Sequence, residues 1–407
     1  MDKAYIIYNR IAHGVMAAFK AMLHWRHPVM VQGEGVVSRL PELIRACKSK
    51  HPMLVTDPFL RDALAPRLEV ILKEAGIEYT VFSDVPPNPL VSTCEKAKEV
   101  FRAEGCDSFI ALGGGAPMDT AKATGAILAN RRKTLTQMNG ILKVGHEIPP
   151  LIAIPTTAGT GSETTVAAVI VDDETRHKAA VMDMVLMPKY ALLDPELTVG
   201  LPPHVTATTG MDALVHALEA YFSRSNSTKE TNQLAEDAVR GVFKYLERAY
   251  RDGTDMEARA QMQIAAHKGG FAFSRVGVGN IHAIAHTLGG LYNTPHGLAN
   301  AVILPHILKD YGSVVHKKLA HLSQILGIKL DGTNEEKANA FIAEVEAMNE
   351  RMGIPRGFDF IRDEDIEQMI TWAMKEANPV YPVPQVYTRE HFRQAIEQIR
   401  IKTPATV

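Results

Sequence analysis

Four histidines and one aspartate in the second half of the chain have the types and spacing to hold a divalent metal. Asp212 and His216 stand four apart in Asp-Ala-Leu-Val-His, and His282 and His286 stand four apart in His-Ala-Ile-Ala-His. His296 follows in Asn-Thr-Pro-His-Gly. Residues four apart on a helix share one face, about one turn from each other. Neutral imidazole and carboxylate are the usual nitrogen and oxygen ligands of an ion that polarises a substrate oxygen. The Pro295–Gly297 turn can fold His296 back over the face that carries His282. Spacing alone leaves open which histidine of the 282/286 pair is a ligand. The chain has 16 histidines, so some pairs arise by chance. His204, His267 and His306 are read as structural, whereas the two pairs stand out for the small or apolar residues between their members.

These residues need helices to present them. After about residue 200 the pattern is helical, at 207–222, 229–250, 255–273 and 281–291, with more helices to follow. Before it, strand-like and helix-like segments alternate. Strands are expected at 53–57, 78–82, 108–112, 151–154, 166–171 and 191–193, and helices at 61–75, 91–104 and 117–129. Such alternation implies a largely parallel sheet with helices on both faces. Gly-Leu-Pro-Pro at 200–203 marks the expected boundary between an α/β domain, 1–200, and an all-helical domain, 201–407. The Pro-rich segment 378–384 reads as a late loop, with a lean towards a pocket wall.

Two polar loops follow strands of the first domain. One is Gly113-Gly114-Gly115-Ala-Pro-Met-Asp119, in the order strand, glycine turn, helix. Glycines let a backbone approach an anion closely, and free N–H groups at a helix start point at it. The run is neither a GxGxxG fingerprint nor a Walker loop, and a plain tight turn is the alternative. The second loop, Pro155-Thr156-Thr157-Ala-Gly-Thr-Gly-Ser-Glu163, also follows an apolar run. Ligands of open α/β sheets bind beyond the carboxyl ends of the strands, so two such loops together favour a dinucleotide site. Asp57 ends the strand at 53–57. It can accept from the ribose hydroxyls of NAD and repel the 2′-phosphate of NADP, or simply cap the next helix ahead of Pro58.

Composition narrows the classes further. The chain has 407 residues, 46% of them hydrophobic, and a net charge of -2, which gives no reason to expect a nucleic-acid or membrane partner. Three cysteines without a CxxC pair argue against a disulfide framework or a thiolate metal site. No apolar run is long enough to cross a bilayer. Arg10, Lys20 and Arg26 lie among apolar residues as in a transit peptide. The preferred reading is an N-terminal arm packed on the body or on a partner subunit, in a cytoplasmic protein.

At GGGAPMDTAK, IPTTAGTGSE, ATTGMDALVHALEAY and HAIAHTLGGLYNTPHG the chain resembles the iron-containing (group III) alcohol dehydrogenases. The likeness runs from about Val29 to the last helices. It implies an α/β dinucleotide-binding domain and a helical metal domain with the active site between them, as in the related dehydroquinate synthase fold. It implies Asp212, His216, His282 and His296 as metal ligands, and His286 near nicotinamide and substrate in catalysis or proton transfer. It also implies Gly113–Gly115 and Asp119 at the pyrophosphate loop, Thr156 and Thr157 beside the cofactor, Lys178 on its ribose, Asp57 for NAD preference, and Phe273 in the substrate pocket. The implied cofactors are NAD and Fe²⁺, with Zn²⁺ or another divalent ion as substitutes. The implied partners are a small alcohol or aldehyde and further copies of the chain, as a homodimer or larger homo-oligomer. Ala116, where many relatives have serine, the loop around Tyr381 and the long N-terminal arm depart from the family pattern.

The expected reaction is therefore hydride transfer between NAD(H) and a small primary alcohol, diol or hydroxyacid, giving an aldehyde or ketone. Alternatives are a hydroxyacid–oxoacid transhydrogenase, a dehydroquinate synthase-like lyase, and a non-catalytic metal- or nucleotide-binding protein. The apolar segments Ala283-Ile-Ala285 and Leu288-Gly-Gly-Leu291 beside the ligands fit a small, weakly polar substrate better than the phosphorylated substrate of such a lyase.

Overall fold

A computed structural model describes residues 2–23, 25–175, 178–225 and 227–401. In chain order the elements begin α1 (Asp2–Ala21), β1 (Val29–Gln32), α2 (Leu40–Ala46), β2 (Pro52–Val55), α3 (Pro58–Ala63), α4 (Ala65–Glu74), β3 (Thr80–Phe82) and α5 (Val91–Ala103). They continue through β4 (Ser108–Gly113), α6 (Gly115–Ala129), β5 (Gly140–Ile141), β6 (Leu151–Pro155), β7 (Ala167–Val171), β8 (Lys178–Met182) and β9 (Tyr190–Leu193). Among the described residues only helices follow as α or β elements: α7 (Pro203–Phe222), α8 (Lys229–Arg251), α9 (Met256–Val276), α10 (Asn280–Tyr292), α11 (His296–Tyr311), α12 (Ser313–Ile325), α13 (Asn334–Arg351), α14 (Ile366–Ala377) and α15 (Arg389–Gln398).

The α/β unit is built on a parallel sheet of order β1-β9-β6-β4-β2-β3. Strands β2, β4 and β6 are buried at every residue, as a sheet covered on both faces requires. Alternate side chains feed two cores. Leu54, Ile110, Leu112, Ile152 and Ile154 pack with Leu40, Ile44, Leu68 and Leu72 of α2 and α4. Met53, Val55, Phe109, Ala111 and Ala153 pack with Ala97, Phe101, Met118 and Ala121 of α5 and α6. From β2 the chain passes to β3 on one side and then to β4 on the other. The carboxyl ends around β2 and β4 are thus the switch point where such sheets bind ligands.

Several expectations are corrected in detail. The segment 61–75 is not one helix: α3 and α4 break at Leu64, because Pro66 near the start of α4 lacks an N–H and its ring crowds the preceding turn. The strand expected at 166–171 lies outside the main sheet. It forms β7 of a separate sheet, β5-β8-β7, where it runs antiparallel to β8, and it is only partly buried.

The two compact units are not the contiguous halves that a single cut at residue 200 implies. One unit is Trp25–Leu201 with Asp252–Ser274, and the other is Met1–His24, Pro202–Arg251 and Arg275–Val407. Gln263 of α9 donates to Pro155 O (3.2 Å) and Asp194 O (3.3 Å), which ties its segment to the sheet. Gly161 and Gly270 bring two backbones together there. A Cβ on Gly270 would sit 2.7 Å from the Gly161 Cα and 2.6 Å from Thr164 Oγ1.

In the helical unit α7 is buried around most of its circumference, from Gly210 to Phe222. Helix α8 lies against it, with Leu246 filling the space that Gly210 leaves. No described helix is long and apolar enough to cross a membrane. Gly270→Ala is expected to destabilise the protein by about 1–3 kcal/mol through overpacking. Urea denaturation reads this directly, and an unchanged midpoint means that the close approach has no energetic consequence.

Candidate metal centre

Helix α7 presents Asp212, His216 and Glu219 on one face, at helical spacings of four and three. Helix α10 brings His282, and the first turn of α11 brings His296 and, one turn on, Asn300. One ligand atom from each of Asp212, His216, His282 and His296 lies within 4.8 Å of the other three. His282 Nε2 is 3.0 Å from His216 Nε2 and 3.8 Å from Asp212 Oδ1, and His296 Nε2 is 3.7 Å from Asp212 Oδ1. Asp212, His216 and His282 are buried, while His296 is partly exposed and marks the open side of the cluster.

Glu219 decides how His282 is oriented. Its Oε2 accepts from His282 Nδ1 (2.6 Å) and from Gly279 N (2.7 Å), and its Oε1 accepts from Ile281 N (2.8 Å). A carboxylate only accepts, so His282 carries its proton on Nδ1 and turns the Nε2 lone pair into the cluster. Burial opposes a charge on His282, but Glu219 and Asp212 outweigh it and raise its pKa. The same negative field favours a cation at the cluster. Asn300 Nδ2 donates to Asp212 Oδ1 (2.6 Å) and lies 3.2 Å from both His282 Nε2 and His296 Nε2. One amide group thus faces three acceptors. A buried carboxylate and imidazole lone pairs converging on one place fit a divalent ion.

The ambiguity within the 282/286 pair has a geometric answer. His282 belongs to the cluster and His286 does not, although its ring centroid is 5.9 Å from that of His282 and 5.2 Å from that of His296. His286 Nδ1 donates to Glu376 Oε1 (2.5 Å), which also accepts from Tyr381 Oη (2.6 Å). Burial works against the Glu376 charge, yet His286, Tyr381 and His282 together outweigh it and hold the carboxyl pKa down. Tyr381 of the Pro-rich segment thereby braces the partner of His286.

The nucleotide-site candidates lie in the α/β unit. Gly113 and Pro155 are register partners on β4 and β6, so the two polar loops leave neighbouring parallel strands at the same end. Gly113 has φ 148°, and a Cβ there would lie 2.6 Å from Pro117 Cγ. A Cβ on Gly114 would reach Thr157 Oγ1 at 3.3 Å, and one on Gly115 would reach Thr160 Cγ2 at 3.3 Å. No side chain caps the start of α6, which leaves its first N–H groups to a ligand or solvent. Thr156 is buried and its N–H donates to Gly113 O (3.1 Å), which fastens one loop to the other.

Asp119, expected at the pyrophosphate loop, is engaged within the protein. Its oxygens accept from Ser162 Oγ (2.8 Å) and Val169 N (3.0 Å) inside the protein. Fully buried Lys122 grips the same loop, donating to Ser162 O (2.6 Å), Ser162 Oγ (3.0 Å), Thr165 Oγ1 (2.7 Å) and Ala167 O (3.0 Å), and burial lowers its pKa to about 8. Asp119 and Lys122 therefore hold the Ser162 loop in place. Asp57 accepts from Leu60 N (2.9 Å) as the N-cap of α3 and stays partly exposed. Lys178, at the start of β8, reaches Asn88 Oδ1 (3.3 Å). Phe273, expected in the substrate pocket, is partly buried on α9 within the α/β unit.

The family model for iron-containing alcohol dehydrogenase matches residues 28–195, and the model for the C-terminal part of that family matches residues 206–399. The chain belongs to the iron-containing alcohol dehydrogenase family. It is 35% identical to the NAD-dependent methanol dehydrogenase of Bacillus methanolicus over 91% of this chain and 97% of the relative. It is 36% identical to the 1,3-propanediol dehydrogenase of Klebsiella pneumoniae over 85% and 90%, respectively. Among solved structures, a 1,3-propanediol oxidoreductase superposes with a TM-score of 0.89 at 33% identity, covering 93% of this chain and 100% of that one. The expected fold and oxidoreductase class stand with that family, and so does its dependence on a divalent metal and NAD(H).

Sequence reasoning missed Glu219, Asn300, Glu376 and Tyr381 as members of the site. Two of them carried a signal. Glu219 is an acid in an apolar helix one turn after His216, and Asn300 lies one turn after His296. Replacing Glu219 by glutamine keeps the shape and removes the anionic acceptor. Metal affinity is expected to fall about 10–100-fold, the usual effect of losing a carboxylate behind a ligating histidine. Titration of metal-free protein with Co²⁺ or Zn²⁺ measures it, and an unaltered affinity excludes this role for Glu219.

Proposed function

We propose that this chain interconverts a small primary alcohol, diol or hydroxyacid and its aldehyde or ketone by hydride exchange with NAD(H). The reading places a divalent cation, Fe²⁺ by first choice, on Asp212, His216, His282 and His296. The observation that carries it is the convergence of these four groups, with His282 turned inward by Glu219. The methanol and propanediol activities named for its relatives support a small substrate. We further read the protein as a cytoplasmic homodimer or larger homo-oligomer of two domains, with Phe273 lining the substrate pocket.

When bound, the cation draws electron density from the substrate oxygen and the nicotinamide exchanges the hydride. The chain's own groups do the rest. Glu219 keeps the His282 lone pair aimed inward. His286, with Nδ1 committed to Glu376, offers Nε2 to take or return a proton at the substrate side. Gly113–Gly115, Thr156 and Thr157 cradle the pyrophosphate, Lys178 addresses the ribose, and Asp119 and Lys122 keep the cradle rigid. Asp57 faces the adenosine ribose while capping α3.

The test is to strip the metal with a chelator and restore single ions anaerobically. NADH formation is then followed across simple alcohols, 1,2- and 1,3-diols and short hydroxyacids. Turnover is expected to vanish without metal and return with Fe²⁺, with one NADH formed per alcohol oxidised. Full turnover in metal-free protein defeats the proposal, as does a panel that yields no NADH. Asp57→Ser keeps a capping oxygen and removes the charge. It is expected to shift kcat/KM towards NADP about tenfold or more, the scale of a lost 1–2 kcal/mol charge repulsion. An unchanged NAD/NADP ratio removes Asp57 from cofactor selection.

A further inference from the structure

Helix α1 turns its largest apolar side chains outward. Its inward side mixes half-buried Ile6, Met16 and Ala17 with polar groups: Asn9 and His13 are buried, Arg10 donates to Val383 O (2.7 Å) and Pro384 O (2.6 Å), and Lys20 donates to Val276 O (3.1 Å). These bonds fasten the helix to the Pro-rich segment and to the end of α9 within the helical unit. The fit on that side is poor in polar terms. Asn9 Oδ1 and both ring nitrogens of His13 are buried without a hydrogen-bond partner. Such groups cost free energy, so docking on its own chain is a weak reason for this helix to be built as it is.

The outward side is apolar. Between Ala4 and Met22 every exposed position is uncharged. Ala4, Tyr8, Ile11, Val15, Ala18 and Met22 recur at alternate spacings of four and three, and Ile7 and Phe19 flank this row. Ile11 is 63% exposed and Val15 66%. A surface helix of a monomer normally turns such a row inward. A repeat of 3.5 residues is the seam along which two helices pack knobs into holes. Six large side chains, each worth on the order of 100 Å² when covered, supply most of the ~800 Å² that each partner buries in a standard interface.

We infer that the outer face of α1 is an interface, and that its occupant is α1 of a second copy of this chain. An identical helix carries the same uncharged seam with the same spacing, and a twofold pairing makes the patch complementary to itself. The inference names a surface for the homo-oligomer read above and rests on that reading.

The test uses the full chain. Sedimentation of the parent is compared with Ile11→Glu/Val15→Glu, and a twofold fall in assembly mass is expected. Far-UV circular dichroism and alcohol-dependent NADH formation should not change, because within one chain both side chains are exposed. Independently, Ile11→Cys/Val15→Cys should form an intermolecular disulfide under mild oxidation with the helices in either direction, whereas Asp331→Cys, on an exposed loop, should not. A parent that is monomeric at every concentration overturns the homo-oligomer reading and the interface together. A parent assembly whose mass survives the glutamates, with no cross-linking above the Asp331→Cys control, overturns the interface alone. Binding of the parent to phosphatidylcholine–phosphatidylglycerol vesicles that the glutamates abolish, with the mass unchanged, assigns the face to a lipid surface and also overturns it.

Discussion

The carboxylate of Glu219 sits where two structural demands meet. Gly279 and Ile281 supply N–H groups at the start of α10, donors that a helix cannot satisfy from its own turns. The same carboxylate accepts from His282 Nδ1. Capping a helix and aiming a ring are therefore one interaction, and the position of α10 against α7 cannot drift without turning His282 out of the cluster. Gly279 is part of this arrangement, since a Cβ there would lie 2.8 Å from Glu219 Oε1. Burying Glu219 and Asp212 so close together is costly unless donors and positive charge compensate. Backbone N–H groups, the Asn300 amide and a cation are the compensation that this site is shaped to receive.

The α/β unit solves a related problem with the signs exchanged. A glycine loop that must approach an anion cannot be stiffened by bulky side chains of its own. Its rigidity comes from beneath, where Asp119 and Lys122, one turn apart on α6, take opposite sides of Ser162 in the neighbouring loop. Lys122 is tolerated in the interior because four oxygens surround its ammonium group. Both candidate sites thus rest in part on charge that is engaged by the protein itself, Glu219 in one and Asp119 with Lys122 in the other. In the cluster that charge orients a side chain, His282, and in the α/β unit it holds the loop at Ser162.

What was legible in the sequence was what obeys a local period. The Asp212/His216 and His282/His286 spacings, the alternation of strands and helices, and the two polar loops after β4 and β6 are local patterns. Pro66 was visible too, and weighing it would have divided 61–75 at Leu64. The remainder depends on contacts distant in sequence. Glu376 lies 90 residues from His286, and nothing local marks it as the partner of a histidine. The assignment of Asp252–Ser274 to the α/β unit depends on Gly161 meeting Gly270, two glycines that separately look like ordinary helix and turn residues. The strand β8, which is only partly buried, has too weak a pattern to declare the second sheet.

His282 and His286 show why spacing could not separate a member of the cluster from its neighbour. They are the same residue type, one turn apart on one helix, among the same small apolar side chains. What distinguishes them is which carboxylate holds Nδ1. Glu219 comes from α7, the helix that also carries Asp212 and His216, so a ring tied to it must point Nε2 at those two. Glu376 comes from α14 and is braced by Tyr381, so a ring tied to it is held beside the cluster with Nε2 uncommitted to the other ligands. Identical side chains are thereby given different places, one ring inside the cluster and the other beside it. Exchanging their places would require moving a carboxylate from one helix to another, which no substitution at position 282 or 286 can do.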